Sequence, residues 1–126
     1  MMKRMPLFIF TMFFVILTTL AFANKTSVKI TAPSKVKKGT QVTITINVMH
    51  KGNSVGHHTD WVYLKINGKE VKRWAYDKNT LPPSDGNFTI SYTYTVTENT
   101  LSLEAEGDCN IHGTAGPAKT SVQVVP

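Results

Sequence analysis

Hydrophobic and polar residues alternate with a period of two along most of the chain beyond residue 40. Residues 41–48 read Gln-Val-Thr-Ile-Thr-Ile-Asn-Val, and the same alternation returns over residues 88–96 and 101–106. A period of two places every second side chain on the same face of a β-strand, whereas a helix would need apolar residues three and four apart. The pattern therefore predicts three strands, each with one buried face.

A β-hairpin is predicted between residues 61 and 74. The pair Asn67-Gly68 separates two strand-like runs, 61–65 and 70–74. Asn-Gly favours the two-residue turn with positive φ angles that joins adjacent antiparallel strands. These two runs are therefore expected to pair.

Further strands around residues 28–31 and 120–125 bring the total to about seven within roughly 100 residues. Clusters of turn-forming residues separate them at 33–34, 82–86 and 113–117. Many short antiparallel strands with regular turns are typical of an all-β, Ig-like β-sandwich. We expect residues 24–126 to form one such domain.

The first 23 residues have the pattern of a secretory signal peptide. Lys3 and Arg4 precede an apolar run over residues 7–20, and Ala21-Phe22-Ala23 supplies a small-residue cleavage site. Cleavage would leave a mature chain that begins at Asn24 in the periplasm or another exported location. The alternative is an uncleaved membrane anchor. However, the run is shorter than the ~20 residues of a spanning helix, so no stable membrane association is expected after cleavage.

The charge of the mature domain is mildly positive. The full sequence has 14 Lys and Arg against 8 Asp and Glu, and loss of Lys3 and Arg4 leaves 12 basic residues and a net charge of +4. The lysines are scattered and have no stacking aromatics between them, so a nucleic-acid partner is not expected. A positive surface suits a small anion or an acidic redox protein, which it would attract electrostatically.

The candidate chemistry lies in one cysteine and four histidines. Cys109 and His112 share the segment Cys-Asn-Ile-His-Gly at 109–113, and His50, His57 and His58 lie about fifty residues earlier. An exported lone thiol has no disulfide partner within its chain, and a thiolate together with imidazoles suits iron, copper or zinc. All five residues fall at predicted strand ends or in loops, where they can meet at one end of a sandwich. The sequence therefore predicts a metal site.

Residues 50–61, followed by the segment 109–113, resemble the iron-binding domain of desulfoferrodoxin and neelaredoxin, the superoxide reductases. Residues 32–39 also resemble the lead-in to the long strand of that family. The resemblance implies a mononuclear, non-haem ferrous ion, Fe(2+), held on an Ig-like fold by four planar histidines and one axial cysteine. It also implies one-electron reduction of superoxide to peroxide. The chain has no CxxC pair for a second iron centre, so an external redox donor protein is expected.

The resemblance assigns the ligands one by one. His50 resembles the first histidine of the family's central loop, although the gap to the next is one residue longer here. His57 resembles the second ligand, and Cys109 and His112 match the axial cysteine and the last histidine. His58 stands where the family has an aromatic residue or a non-ligating histidine.

The amino-terminal part of the family site is altered in this chain. The family has a glutamate, a catalytic lysine and a ligand histidine where this sequence has Asn24, Lys25 and Thr26. Lys25 is thus the candidate catalytic residue, which would hold an anionic substrate near the iron. The place of the missing histidine could be filled by water, which we favour, by His58 or by the new amino terminus at Asn24.

Two alternatives remain at the level of sequence. One is a blue-copper domain built on Cys109, His112 and one upstream histidine, although the usual methionine after the last histidine is absent. The other is an iron- or copper-binding electron-transfer or accessory domain without reductase activity, motivated by Thr26.

Overall fold

The computed structural model describes residues 24–126, which form eight β-strands and no helix. The signal peptide predicted over residues 1–23 lies outside the described residues. No helix long and apolar enough to cross a membrane occurs in the described part of the chain. The strands are β1 (Ser27–Thr31), β2 (Lys35–Lys37), β3 (Gln41–Met49), β4 (Thr59–Ile66), β5 (Lys69–Ala75), β6 (Asn87–Thr95), β7 (Leu101–Cys109) and β8 (Ala118–Val125).

The strands form the two sheets of a β-sandwich. One sheet has the order β1-β3-β6 and the other the order β2-β8-β7-β4-β5. All neighbours pair antiparallel except β2 and β8, which run parallel over three residues. The Ig-like sandwich expected from the sequence is confirmed. The short strand β2 is an addition that the alternation did not predict, because three residues are too few to show a period.

The core lies between the sheets and consists of the apolar members of the alternating runs. In β3 every second residue from Val42 to Val48 is at most 3% exposed, while the residues between them face outward. Strands β4, β7 and β8 supply the opposite side of the core through Val62, Leu64, Ile66, Leu101, Leu103, Ala105 and Val122. Burial of these side chains, each worth about 1.5–3 kcal/mol, fixes which face of each strand points inward.

The predicted hairpin is present as β4 and β5. Asn67 and Gly68 have φ angles of 51° and 82°, so both central residues of the turn adopt the positive φ for which Asn-Gly is suited. Strand β4 also pairs along its other edge with β7, and this pairing brings Thr59 opposite Cys109. The register of β4 and β7 therefore sets the position of Cys109 relative to the loop before β4, which carries His57 and His58.

Candidate metal centre

Strand termini meet at one end of the sandwich and place the candidate ligands there. Strand β3 ends at Met49 beside the start of β1 at Ser27 and the start of β6 at Asn87. Strand β7 ends at Cys109 opposite the start of β4. His50 directly follows β3, and His57 lies two residues before β4. Cys109 is the last residue of β7, so the strand runs further than the alternation over residues 101–106 indicated.

Three candidate ligands come within reach of a single ion. Each of His50, His57 and Cys109 offers a donor atom, and these atoms all lie within 4.8 Å of one another. The rings of His50 and His57 meet edge to face, with centroids 4.8 Å apart. Two imidazole nitrogens and one sulfur are a donor set that suits iron, copper or zinc and is poor for calcium or magnesium.

The fourth predicted ligand, His112, adjoins this group. Its Nδ1 lies 3.2 Å from His57 Nε2 and 3.9 Å from Cys109 Sγ. The backbone N–H of His112 also donates to Cys109 Sγ at 3.4 Å. Such a bond from a tight turn helps to hold the sulfur in place and to stabilise negative charge on it.

His50 carries the clearest sign that the cluster is built to accept a cation. Among buried side-chain nitrogen and oxygen atoms of residues 24–126, only its Nε2 has no hydrogen-bond partner. The residue is 5% exposed, so water does not freely solvate this nitrogen. An unpaired buried polar atom is costly, and coordination of a metal ion would satisfy it. The residues present therefore fit a bound transition metal.

The electrostatics of His57 also favour a neutral ring. Its pKa is lowered chiefly by burial and then by the neighbouring rings of His50 and His112, which disfavour a further positive charge. A hydrogen bond with the backbone of Asn24 acts in the opposite direction. A metal ligand must offer a lone pair, so a lowered pKa prepares this imidazole for coordination near neutral pH.

His58 is buried and its side chain is already hydrogen-bonded within its own loop. It is 5% exposed, and its Nδ1 lies 3.0 Å from the carbonyl oxygen of Ser54. Its backbone N–H donates to Asn110 Oδ1 at 2.9 Å. His58 thus closes its own loop and lies outside the group of mutually close donors. Its pairing with Ser54 weakens the idea that it replaces the missing histidine.

Thr26 is turned into the protein interior. Its side chain is fully buried, and its Oγ1 lies 3.1 Å from Thr59 Oγ1. Its backbone N–H donates to the carbonyl of Gly113, and its carbonyl accepts from the N–H of Ala115. The amino-terminal segment is therefore fastened to the turn after Cys109, but the Thr26 hydroxyl is paired with another side chain.

Lys25 shares a groove with His50 but not with the other candidate ligands. It lines an open groove of about 460 Å³ together with His50, Lys51, Met49 and Asp85. His57, Cys109 and His112 do not line this groove. The two lysines make the approach to His50 positive, as suits an anion, while Asp85 partly offsets that charge.

Two asparagines organise the site, and neither was singled out from the sequence. Asn110 ties the two loops together: its backbone N–H donates to the carbonyl of His58, and its Nδ2 donates to the carbonyl of Gly56 at 3.3 Å. Asn53 contacts His50 directly, with its Oδ1 3.1 Å from Nδ1. Asparagine is common in loops, so only the contacts reveal these roles.

Comparison with known families gives one match that covers more than half of the chain. The model of the family described as desulfoferrodoxin matches residues 18–115, a span that includes all four candidate ligands. The chain belongs to the desulfoferrodoxin family. Comparison with curated protein sequences finds no match.

Solved structures with the same fold include members of this family and proteins of other kinds. Superoxide reductase (neelaredoxin) from Ignicoccus hospitalis has a TM-score of 0.63 and 23% identity, with 80% of this chain and 83% of that chain covered. The CARDB domain of the PF1109 protein from Pyrococcus furiosus, in complex with di-metal ions, has a TM-score of 0.61 and 18% identity. That alignment covers 82% of this chain and 96% of the CARDB domain. At these identities the likeness concerns the fold, which different functions share.

Proposed function

We propose that this protein is a mononuclear non-haem iron protein of the superoxide reductase type, which reduces superoxide to peroxide. The observation that carries the proposal is the mutual reach, within 4.8 Å, of donor atoms from His50, His57 and Cys109. The buried, unpartnered Nε2 of His50 adds a nitrogen that coordination to a metal ion would satisfy. Membership of the desulfoferrodoxin family and the shared fold with neelaredoxin support iron as the metal and superoxide as the substrate.

In this proposal His50, His57, His112 and Cys109 hold the ion. When bound, ferrous iron supplies the single electron that superoxide needs, and two protons from solvent complete hydrogen peroxide. The electron is replaced by an external one-electron donor protein. The Cys109 thiolate contributes electron density to the ion, and the His112 N–H bond to its sulfur tempers that donation.

Lys25 has the role of attracting the substrate. Superoxide is an anion, and the groove beside His50 carries Lys25 and Lys51. Positive side chains at the approach to a site raise the local concentration of an anionic substrate and the rate of encounter. Lys25 acts in this way before any chemistry occurs.

The test uses the chain from Asn24, loaded with iron under anaerobic conditions and supplied with an external reductant. We expect superoxide consumption with one donor electron used per superoxide, and an oxidised form with a thiolate-to-iron charge-transfer band. Cys109→Ser should abolish the band.

His57→Ala removes a candidate ligand. It should therefore reduce superoxide consumption by more than the ~10–100-fold loss that is typical when a residue that only hydrogen-bonds to a ligand is removed. Lys25→Ala should lower the second-order rate by about 10-fold at low salt and by less at high salt.

His58→Asn is the matched control for the ligand variants. The asparagine amide can still donate to the Ser54 carbonyl, so the loop closure is kept and only an adjacent imidazole is lost. We expect unchanged iron content and activity. Equal losses in His57→Ala and His58→Asn would contradict the assignment of His57 as a ligand.

A second candidate function is an iron- or copper-binding electron-transfer or accessory domain without reductase activity. It is favoured by Thr26, whose buried hydroxyl is paired with Thr59 and supplies no imidazole where the family has one. In the same experiment, iron binding with a normal charge-transfer band but no superoxide consumption would select this candidate. An intense blue oxidised form with copper would identify a copper domain instead.

We also propose that the protein is exported and that its mature chain begins at Asn24. The basic start, the apolar run and Ala21-Phe22-Ala23 support this proposal. Mass spectrometry of the protein recovered from the exported fraction of the producing cells should give the mass of residues 24–126. Recovery of the uncut chain in the membrane fraction would contradict it.

A further inference from the structure

Asn53 makes three hydrogen bonds that leave its side-chain amide in one orientation. Its Oδ1 accepts from the backbone N–H of Thr59 at 2.9 Å, and its Nδ2 donates to the carbonyl of Pro83 at 2.8 Å. Rotating the amide by 180° would set its N–H groups against the Thr59 N–H and its oxygen against the Pro83 carbonyl. Both contacts would become repulsive, so Oδ1 is the atom that faces His50.

The fixed oxygen decides which nitrogen of His50 carries the proton. Asn53 Oδ1 lies 3.1 Å from His50 Nδ1, and an amide oxygen can only accept a hydrogen bond. Nδ1 must therefore be the donor. In a neutral imidazole the other nitrogen, Nε2, then bears the lone pair, and this is the buried atom that has no partner.

We propose that Asn53 is a positioning residue that holds His50 as the Nδ1–H tautomer and directs Nε2 into the metal site. This inference rests on the proposed metal centre and concerns a residue that bonds to the ligand His50 and is not itself a candidate ligand. Imidazole ligands commonly donate their second N–H to such an acceptor, which fixes both the tautomer and the ring orientation. Here the Asn53 side chain is itself held by two hydrogen bonds, one to Thr59 at the start of β4 and one to Pro83 in the loop before β6.

The anchoring also links the acceptor to the amino-terminal segment. Thr59, whose N–H fixes Asn53, pairs through its hydroxyl with the fully buried Thr26. Thr26, which stands where the family has a ligand histidine, thus supports Asn53 through Thr59, and Asn53 in turn orients His50.

The test compares Asn53→Ala with Asn53→Asp, using Co(II) as the metal probe and histidine-labelled apo protein for NMR. Long-range ¹⁵N–¹H spectra should show His50 as the Nδ1–H tautomer in the wild type. Asn53→Ala should convert it, wholly or in part, to the Nε2–H tautomer and weaken Co(II) binding by about 10–100-fold. Asn53→Asp keeps an oxygen for Nδ1 and for the Thr59 N–H, but it sets its second oxygen against the Pro83 carbonyl. It should therefore retain the tautomer and bind Co(II) less tightly than the wild type but more tightly than Asn53→Ala.

Ser54→Ala is the matched control in the same loop. The Ser54 hydroxyl donates to the carbonyl of His57 at 3.3 Å and makes no hydrogen bond to His50. The Ser54 backbone N–H also donates to that carbonyl, at 2.8 Å, and this bond stays in the variant, so both readouts should stay unchanged. An unchanged His50 tautomer together with unchanged Co(II) affinity in Asn53→Ala would overturn the proposal. If Asn53→Ala does not fold, loss of the Nδ1–H tautomer in the folded Asn53→Asp would overturn it.

The outcome does not depend on superoxide chemistry. A protein that binds Co(II) but reduces no superoxide leaves the role of Asn53 intact and rejects only the reductase activity. A wild type that binds no Co(II) rejects the proposed metal centre, while the apo NMR spectra still report whether Asn53 fixes the tautomer.

Discussion

At the scale of single residues, Gly86 sets the position of His50 through a contact that only glycine permits. Its φ is +91°, and an added Cβ would lie 1.9 Å from the carbonyl oxygen of His50. Its own carbonyl accepts from the His50 N–H at 3.1 Å. The loop before β6 therefore packs directly against the backbone of a candidate ligand.

Replacing Gly86 with alanine should damage both stability and metal binding. The positive φ alone costs a non-glycine residue about 1–3 kcal/mol. The overlap must in addition displace the backbone of His50, because the atoms that the added Cβ would meet belong to the backbone of His50 and Gly52 and cannot turn aside as a side chain could. Denaturant unfolding of the apo protein and titration with Co(II) measure the two effects.

Gly39→Ala separates the cost of the positive φ from the effect of the overlap with His50. Gly39 has nearly the same φ, +89°, but an added Cβ there meets nothing within 4 Å. We expect a comparable cost in backbone conformation and unchanged Co(II) affinity. If Gly86→Ala binds Co(II) as tightly as Gly39→Ala does, the contact does not hold His50 in place.

At the scale of elements, the strands were predictable because each carries its own signal. The alternation in β3 and β6 and the Asn67-Gly68 turn depend only on neighbours along the chain. The parallel pairing of β2 with β8 was not predictable, because it joins residues 35–37 to residues 123–125. Pairing between distant segments depends on how the whole sheet assembles, and a three-residue strand has no pattern of its own.

The same limit applies to the loops of the site. The motif at 109–113 and the histidines at 50, 57 and 58 indicated candidate ligands by residue type, and the family resemblance selected four of them. The contacts of Asn53 and Asn110 depend on where β4 begins relative to β7 and on the path of the loop before β6. For this reason the sequence could propose candidate ligands but could not find the residues that contact and orient them.

At the scale of the whole molecule, the candidate ligands are far apart in the chain and meet only when it folds. His50 follows β3, His57 precedes β4 and Cys109 ends β7, so both sheets must be in place to assemble the group. The unfolded chain offers no such cluster. Metal binding at this candidate site would therefore be coupled to folding.

This coupling predicts that metal stabilises the protein. A free metal concentration about 100 times Kd should add about 2.7 kcal/mol to the free energy of unfolding. For a domain of this size that corresponds to a rise in Tm of about 10–20 °C. Calorimetry with Co(II), and then with excess chelator, should show the rise and its reversal. Cys109→Ser should show little of either, and an equal rise in that variant would place the bound metal elsewhere.

The sequence by itself determined the longer strands, the Ig-like class and the chemical nature of the candidate site, because these follow from local alternation, turn residues and the choice of cysteine with histidine. Tertiary structure alone decided which donors come within reach of one ion. It paired Thr26 with Thr59, bonded the His58 backbone to the Asn110 side chain, and left Nε2 of His50 without a partner. The physical reason is that these outcomes depend on distances of a few ångströms between segments far apart in the chain, which packing and register fix and residue order does not record.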